Sequence, residues 1–291
     1  MTALLAHAGP PAYEFGFLDE YSKREVRRAV LSAVAIPGYQ VPFGSREMPV
    51  ARGWGSGGLQ ITLAIVGDDD VVKVIDQGDD AGVNAANLRR LVVDTTGVAE
   101  TTDAREATIV QTRHRIPEDP LGEGQTLVLQ VPVPEPLRGI ERDMRELRRM
   151  HGEADYARMW VSLYEDVVRN GVITRTTGYP CLVGGRYVMA TTPIPRWDVP
   201  KLHQAESLAL FGAGREKRIY AVPPHTDVVP LTFDDVPFEV ERTEGAACAV
   251  CGAGPGADAE SFLVEVPGAD GSRWVCSDAD WCARRTAGEG S

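Results

Sequence analysis

The chain is poor in the groups that serve most proton-transfer and metal enzymes. Its 291 residues hold five histidines and five cysteines. The histidines are scattered, so their spacing gives no His-based metal motif. No apolar run reaches the roughly 20 residues that span a bilayer as a helix. The first residues, Met1-Thr-Ala-Leu-Leu-Ala-His7, lack a basic stretch and a long apolar run, so they do not read as a signal peptide, and the expected compartment is the cytoplasm. Positive charge is also short: 30 Lys and Arg against 42 Asp and Glu give a net charge of −12. That argues against nucleic acid or an anionic membrane as the main partner, while leaving room for a local basic pocket. There is no internal repeat and no low-complexity tract.

The distribution of the cysteines is informative. Four of the five fall in the last 44 residues, as Cys248-Ala-Val-Cys251 and Cys276-Ser-Asp-Ala-Asp-Trp-Cys282, with 24 residues between the pairs. In a reducing compartment such a cluster reads as metal ligands or catalysts rather than disulfides. Thiolates select zinc and iron–sulfur clusters. Spacing alone favours one zinc on all four sulfurs; three sulfurs on a cluster with the fourth free to react is the alternative. Residues 262–266 and 274–275 flank Pro267-Gly-Ala-Asp-Gly271, a hairpin signal that returns Cys276 and Cys282 to Cys248 and Cys251. Cys181, far from the rest, reads as a plain buried thiol.

With 43% hydrophobic residues the chain can bury a large core, and its 20 prolines and 30 glycines imply many turns. Residues 1–12 read as a loose leader. Apolar Val26, Ala29, Val30, Ala33 and Val34 recur at three- and four-residue steps, predicting a helix over 19–36 that Pro37 ends. Pro37-Gly38 then reads as a type II turn. The alternation of Leu59, Ile61, Leu63 and Ile65 predicts a strand over 59–66. The glycine run before it, residues 53–58, thus reads as a close-packed turn rather than a phosphate loop, which would feed a helix. A helix is predicted over 84–94, and strands over 107–112 and 126–131. His114 sits between Arg113 and Arg115, where it could serve substrate phosphate or proton transfer; a lone loop histidine is more often structural.

Proline clusters bracket a charged, helical middle that contains a hairpin around Gly184-Gly185. This pattern marks 137–207 as an insertion. The expected architecture is a mixed α/β core of 13–136 with 208–291 as its return, a central inserted helix and hairpin subdomain, and a C-terminal cysteine-rich β-ribbon. Arg215, Lys217 and Arg218, beside two glycines, could hold phosphate.

Taken together, Ile36-Pro-Gly-Tyr-Gln-Val-Pro-Phe-Gly44, Arg113-His-Arg-Ile-Pro-Glu118, Gln130-Val-Pro-Val-Pro-Glu-Pro-Leu137, Phe211-Gly-Ala-Gly-Arg-Glu-Lys-Arg-Ile-Tyr-Ala-Val-Pro-Pro224 and Val275-Cys-Ser-Asp-Ala-Asp-Trp-Cys282 resemble the radical-SAM subunit of bacterial carbon–phosphorus lyase, from about residue 13 to 285. The gap between Cys251 and Cys276 is a few residues longer than in that family. The resemblance implies a [4Fe–4S] cluster on Cys248, Cys251 and Cys276 that binds S-adenosylmethionine, a glycyl radical at Gly38 and a thiyl radical at Cys282. The implied reaction converts ribose 1-methylphosphonate 5-phosphate to a cyclic ribose phosphate and methane. It also implies partner subunits and an ATP-binding-cassette protein; the insertion at 137–207 is the candidate docking region. Zinc could occupy the site in protein prepared in air. The usual CxxxCxxC run of radical-SAM enzymes is absent. Two other readings stand beside this one: a zinc-stabilised scaffold subunit without chemistry, and a sugar-phosphate hydrolase using His114, which leaves the four cysteines without a role.

Overall fold

A computed structural model describes residues 20–42, 56–131, 134–153, 180–191, 194, 196–213, 217–231, 245–254, 263–269 and 271–288. The predicted leader, much of the middle segment and Arg215 lie outside the described residues. Helices are α1 (Glu20–Val34), α2 (Ser56–Ile65), α3 (Val83–Thr96), α4 (Met144–Glu153) and α5 (Ala279–Ala287). A mixed sheet of β1 (Gln40–Pro42), β2 (Val71–Ile75), β3 (Ala99–Glu100), β4 (Ile109–Thr112), β5 (Thr126–Val131), β8 (Leu208–Ala213) and β9 (Arg218–Val222) runs in the order β1-β9-β8-β5-β4-β2-β3. The run from β8 to β3 is parallel, while β9 is antiparallel to both β8 and β1.

The sheet is covered on both faces, which is why its strands read as near-continuous apolar runs. Val72, Val74, Val128, Leu210, Ile219 and Ala221 point to one face and pack with α1, α2 and α3. Ile75, Leu127, Leu129, Phe211, Tyr220 and Val222 point to the other. There they meet Cys181, Val183 and Met189 of the hairpin formed by β6 (Pro180–Val183) and β7 (Tyr187–Ala190), which pairs with β10 (Val228–Pro230) in a second sheet. The hairpin turns at Gly184 and Gly185, both at positive φ. Cys181 is fully buried. No helix among the described residues is long and apolar enough to cross a membrane.

Residues 59–66 are not a strand: α2 covers them. The alternation misleads because the intervening polar residues, Gln60 and Thr62, are themselves buried, with Thr62 bonded to Gln111 of β4. A helix sandwiched between α1 and the sheet is buried all round, so period-two hydropathy carries no facing information there. The glycine run therefore does feed a helix. What the structure shows its glycines doing is close packing. A Cβ on Gly58 would lie 2.9 Å from Gln130 Cβ, and one on Gly212 of β8 would lie 2.6 Å from the Gly57 carbonyl carbon. Backbone meets backbone where α2 crosses β8.

Candidate metal centre and the Gly38 pocket

The hairpin of β11 (Leu263–Gly268) and β12 (Gly271–Cys276) delivers Cys276 at its end. The chain turns at Ser277, and Asp278 caps α5 by accepting from the Trp281 backbone N–H at 3.0 Å. Cys282 lies in the first turn of that helix. Cys276 and Cys282 thus do not share a helix; a strand end and a helix start bring their sulfurs together. Cys248 and Cys251 complete the set: all four Sγ atoms lie within 4.8 Å of one another.

The Cys248–Cys282 and Cys251–Cys276 sulfur separations are 3.7 and 3.4 Å. A tetrahedral ion with metal–sulfur bonds of about 2.3 Å has ligand edges of about 3.8 Å, so the quartet has the size of a one-ion cage. The donor chemistry suits an iron–sulfur cluster equally well. A cluster that takes one cysteine per iron needs a wider spread, so three of these sulfurs would have to move apart to hold one. The thiols are electrostatically unequal. Burial pushes the Cys248 thiol up, but backbone N–H groups of Cys251, Val250 and Cys276 aimed at its sulfur outweigh this and hold it at about 6. Burial and hydrogen bonding with Cys248 and Cys251 push Cys282 up to about 12. Cys276 is raised too, first by burial and then by its bond to Cys251.

A buried latch fixes this unit to the sheet. Lys73 of β2, 1% exposed, sits 2.9 Å from Asp278 and 3.2 Å from Asp80, and also donates to the Thr102 carbonyl. The Asp80 N–H donates to the Ser277 carbonyl, and the Asp80 carboxylate accepts from the Ala279 N–H. Burial is the main cause raising the Asp80 pKa, with Lys73 opposing it. Arg284 of α5 reaches Asp119 as well. Sequence reading passed over Lys73, Asp80 and Asp278, since nothing in the chain marks partners some 200 residues apart. The only local hint was a lysine inside the apolar run Val71-Val-Lys-Val-Ile75.

Gly38 lies at the other side of the sheet. It is buried, with φ +72°, and the Tyr39 N–H closes a turn onto the Ile36 carbonyl at 2.9 Å, as the Pro-Gly pair predicts. Its own N–H donates to Ala221 of β9. A Cβ there would lie 2.8 Å from Tyr220 Oη and 2.9 Å from Tyr187 Cβ. Five strand steps separate β1 from β2. At about 4.8 Å each, they set Gly38 roughly 24 Å across the sheet from the latch. Gly38 lines a cavity of about 280 Å³. The cavity also holds Arg218, at the start of β9, and the pair formed by Glu135 and His151 at 2.7 Å. Nothing in the spacing of the histidines marks His151; only the fold of α4 sets it against Glu135, sixteen residues earlier.

The remaining predicted residues disperse. His114, at φ +78°, is half-buried at the end of β4. Burial, then Arg113, lowers its pKa, so it is neutral at physiological pH. Arg113 pairs with Asp76 at 2.7 Å. The loop 76–80 therefore touches both the His114 segment and the cysteine unit at one end of the parallel strands, where open α/β sheets bind ligands. Lys217 is half-buried in the β8–β9 turn at φ +49°. Of the two described members of the basic trio, Arg218 lines the Gly38 cavity and Lys217 does not; Arg215 lies outside the described residues.

The fold and site define an α/β protein with a cluster of four cysteines that could hold a metal ion. Over residues 11–288 the sequence matches the model of the family described as phosphonate metabolism protein PhnJ, and the chain belongs to that family. It is 56% identical over 277 residues to the alpha-D-ribose 1-methylphosphonate 5-phosphate C-P-lyase of Rhizobium meliloti (strain 1021), covering 94% of this chain and 91% of the relative. It is 53% identical over 276 residues to the enzyme of that name from Escherichia coli (strain K12), covering 94% and 96%.

Proposed function

We propose that this protein cleaves the carbon–phosphorus bond of alpha-D-ribose 1-methylphosphonate 5-phosphate by radical chemistry, as one subunit of a larger complex. The observation that carries the reading is its identity of more than half, over nearly full length, with two lyases of that name. A methyl group on phosphorus is a poor leaving group, so proton transfer alone does little, and cofactors must carry the hard step. Cys248, Cys251 and Cys276 would hold an iron–sulfur cluster, which with S-adenosylmethionine and one external electron would supply a hydrogen-abstracting carbon radical.

The chain's own residues do the rest. The Gly38 Cα gives up a hydrogen atom, and the flanking amides delocalise the spin. Gly38 then takes hydrogen from the Cys282 thiol. The Cys282 sulfur bonds to phosphorus as the carbon–phosphorus bond breaks, and the methyl radical leaves as methane on taking the hydrogen atom from the Gly38 Cα, which returns the spin to Gly38. The sugar 2-hydroxyl then displaces sulfur from phosphorus, giving the 1,2-cyclic phosphate and restoring the thiol. Hydrogen transfer needs reacting atoms about 3–3.5 Å apart, so the relay requires the cysteine unit to leave its latch and approach Gly38. We assign the docking of partner subunits and an ATP-binding-cassette protein to 137–207.

A second reading, a zinc-stabilised scaffold subunit, is favoured by the one-ion size of the cage. Anaerobic reconstitution with iron and sulfide separates the two. Broad visible absorption is expected in wild type, lost in Cys251→Ala and largely kept in Cys282→Ala. Equal loss in both variants, or retention of zinc without iron uptake under anaerobic expression, refutes the unequal roles.

A further inference from the structure

The cavity beside Gly38 has a charge opposite to that of the chain. Arg138 follows β5, Arg148 lies on α4, Arg186 lies in the β6–β7 turn and Arg218 opens β9. Four elements thus bring guanidinium groups to one cavity, against a single acidic lining residue, Glu135. That carboxylate is already engaged: one oxygen accepts from the Leu137 N–H at 3.1 Å and the other meets His151 Nε2 at 2.7 Å. Guanidinium groups suit phosphate oxygens because their planar fork gives paired, charge-assisted bonds.

Two sequestered polar atoms on the lining lack a partner among the described residues: the Gln40 side-chain nitrogen and His151 Nδ1, on a histidine only 6% exposed. Leaving buried donors or acceptors unmade is costly, so both point to a ligand. Their chemistry differs. The Gln40 Nε2 can only donate, as an anionic oxygen requires. His151 Nε2 faces the Glu135 carboxylate; in the tautomer with its proton on Nε2, Nδ1 is an acceptor. An acceptor suits a hydroxyl group, not a phosphate oxygen.

We propose that this cavity binds a phosphorylated sugar, with the arginines and Gln40 on phosphate oxygens and His151 Nδ1 on a sugar hydroxyl. The inference rests on the proposed carbon–phosphorus cleavage and gives its substrate a location against the Gly38 turn.

The test is calorimetric titration of the full-length, metal-free protein with ribose 5-phosphate, ribose and inorganic phosphate, at low and moderate salt. Saturable binding of ribose 5-phosphate is expected, weakening with salt, tighter than for inorganic phosphate and absent for ribose. The double variant Arg148→Ala/Arg186→Ala changes two exposed side chains and should weaken binding at least tenfold. No saturation with wild type, or an unchanged affinity in the double variant, overturns the pocket. Equal affinity for inorganic phosphate overturns the hydroxyl contact and with it the sugar. Because iron and S-adenosylmethionine are absent from this titration, the cleavage reading stands or falls separately, on methane release.

Discussion

Replacing Gly38 by alanine probes both the packing of the turn and its chemistry. An alanine at φ +72° stays in the left-handed region, at a cost of about 1 kcal/mol. Its methyl group would meet Tyr220 Oη at 2.8 Å and Tyr187 Cβ at 2.9 Å. Tyr220 is fully buried and cannot swing away, and overpacking of this kind costs about 1–3 kcal/mol. The expected loss is about 3 kcal/mol. Gly97, the left-handed cap of α3, is the control: its φ is +74° and nothing lies within 4 Å of an added Cβ. Gly97→Ala should lose only the backbone part, about 1 kcal/mol. Urea unfolding of both variants gives the difference directly, and equal midpoints would show that the space around Gly38 is slack. Reconstituted anaerobically under conditions where both remain folded, Gly97→Ala should release methane and Gly38→Ala none. A wild-type methane yield from Gly38→Ala refutes the relay.

Lys73→Met should cost about 3–5 kcal/mol, because it leaves Asp80 and Asp278 buried without their cation. Amide exchange over 277–288 should accelerate; unchanged protection there refutes the latch. The loss depends on pH. The folded-state pKa of Asp80 lies above its unfolded value, so stability falls as pH rises through that interval, and removing Lys73 widens it. The variant should therefore be worse at pH 7 than at pH 4, and the opposite order would be decisive against this account. At the surface, Arg105 hydrogen-bonded to Asp103 holds that carboxyl at about 2 instead of 3.8. A depressed acid contributes stability above its unfolded pKa and loses it as pH falls between about 4 and 2. Asp103→Asn should flatten the acid limb of stability in that window, by a small amount because solvent screens the pair; an unchanged limb refutes the assignment.

Local signals were legible where a stretch of chain sees one environment. The helix of 20–34 shows its period because one face is wet, and Pro37-Gly38 announces its turn because proline and glycine preset the two dihedrals. Residues 59–66 misled for the converse reason: every side of that helix is buried, and hydropathy records exposure rather than backbone geometry. His151 and Lys73 were silent, since their importance lies in partners that only a fold supplies. Which of Arg215, Lys217 and Arg218 line one site was silent for a related reason. Neighbours in a turn point in different directions, and among the described ones only Arg218 lines the cavity.

The amino-acid order by itself determined the clustering of four cysteines in the C-terminal region, because it needs only the right residues within reach and a hairpin to return them. It also determined the glycine turn and the alternating faces of the sheet, which follow from local dihedrals and side-chain period. Tertiary structure alone decided where these parts stand. The seven-strand order sets Gly38 and the thiolates on opposite sides of the sheet, and it gathers four arginines from distant elements around one cavity. Strand order depends on which faces bury together across the whole chain, and no window of sequence contains that information.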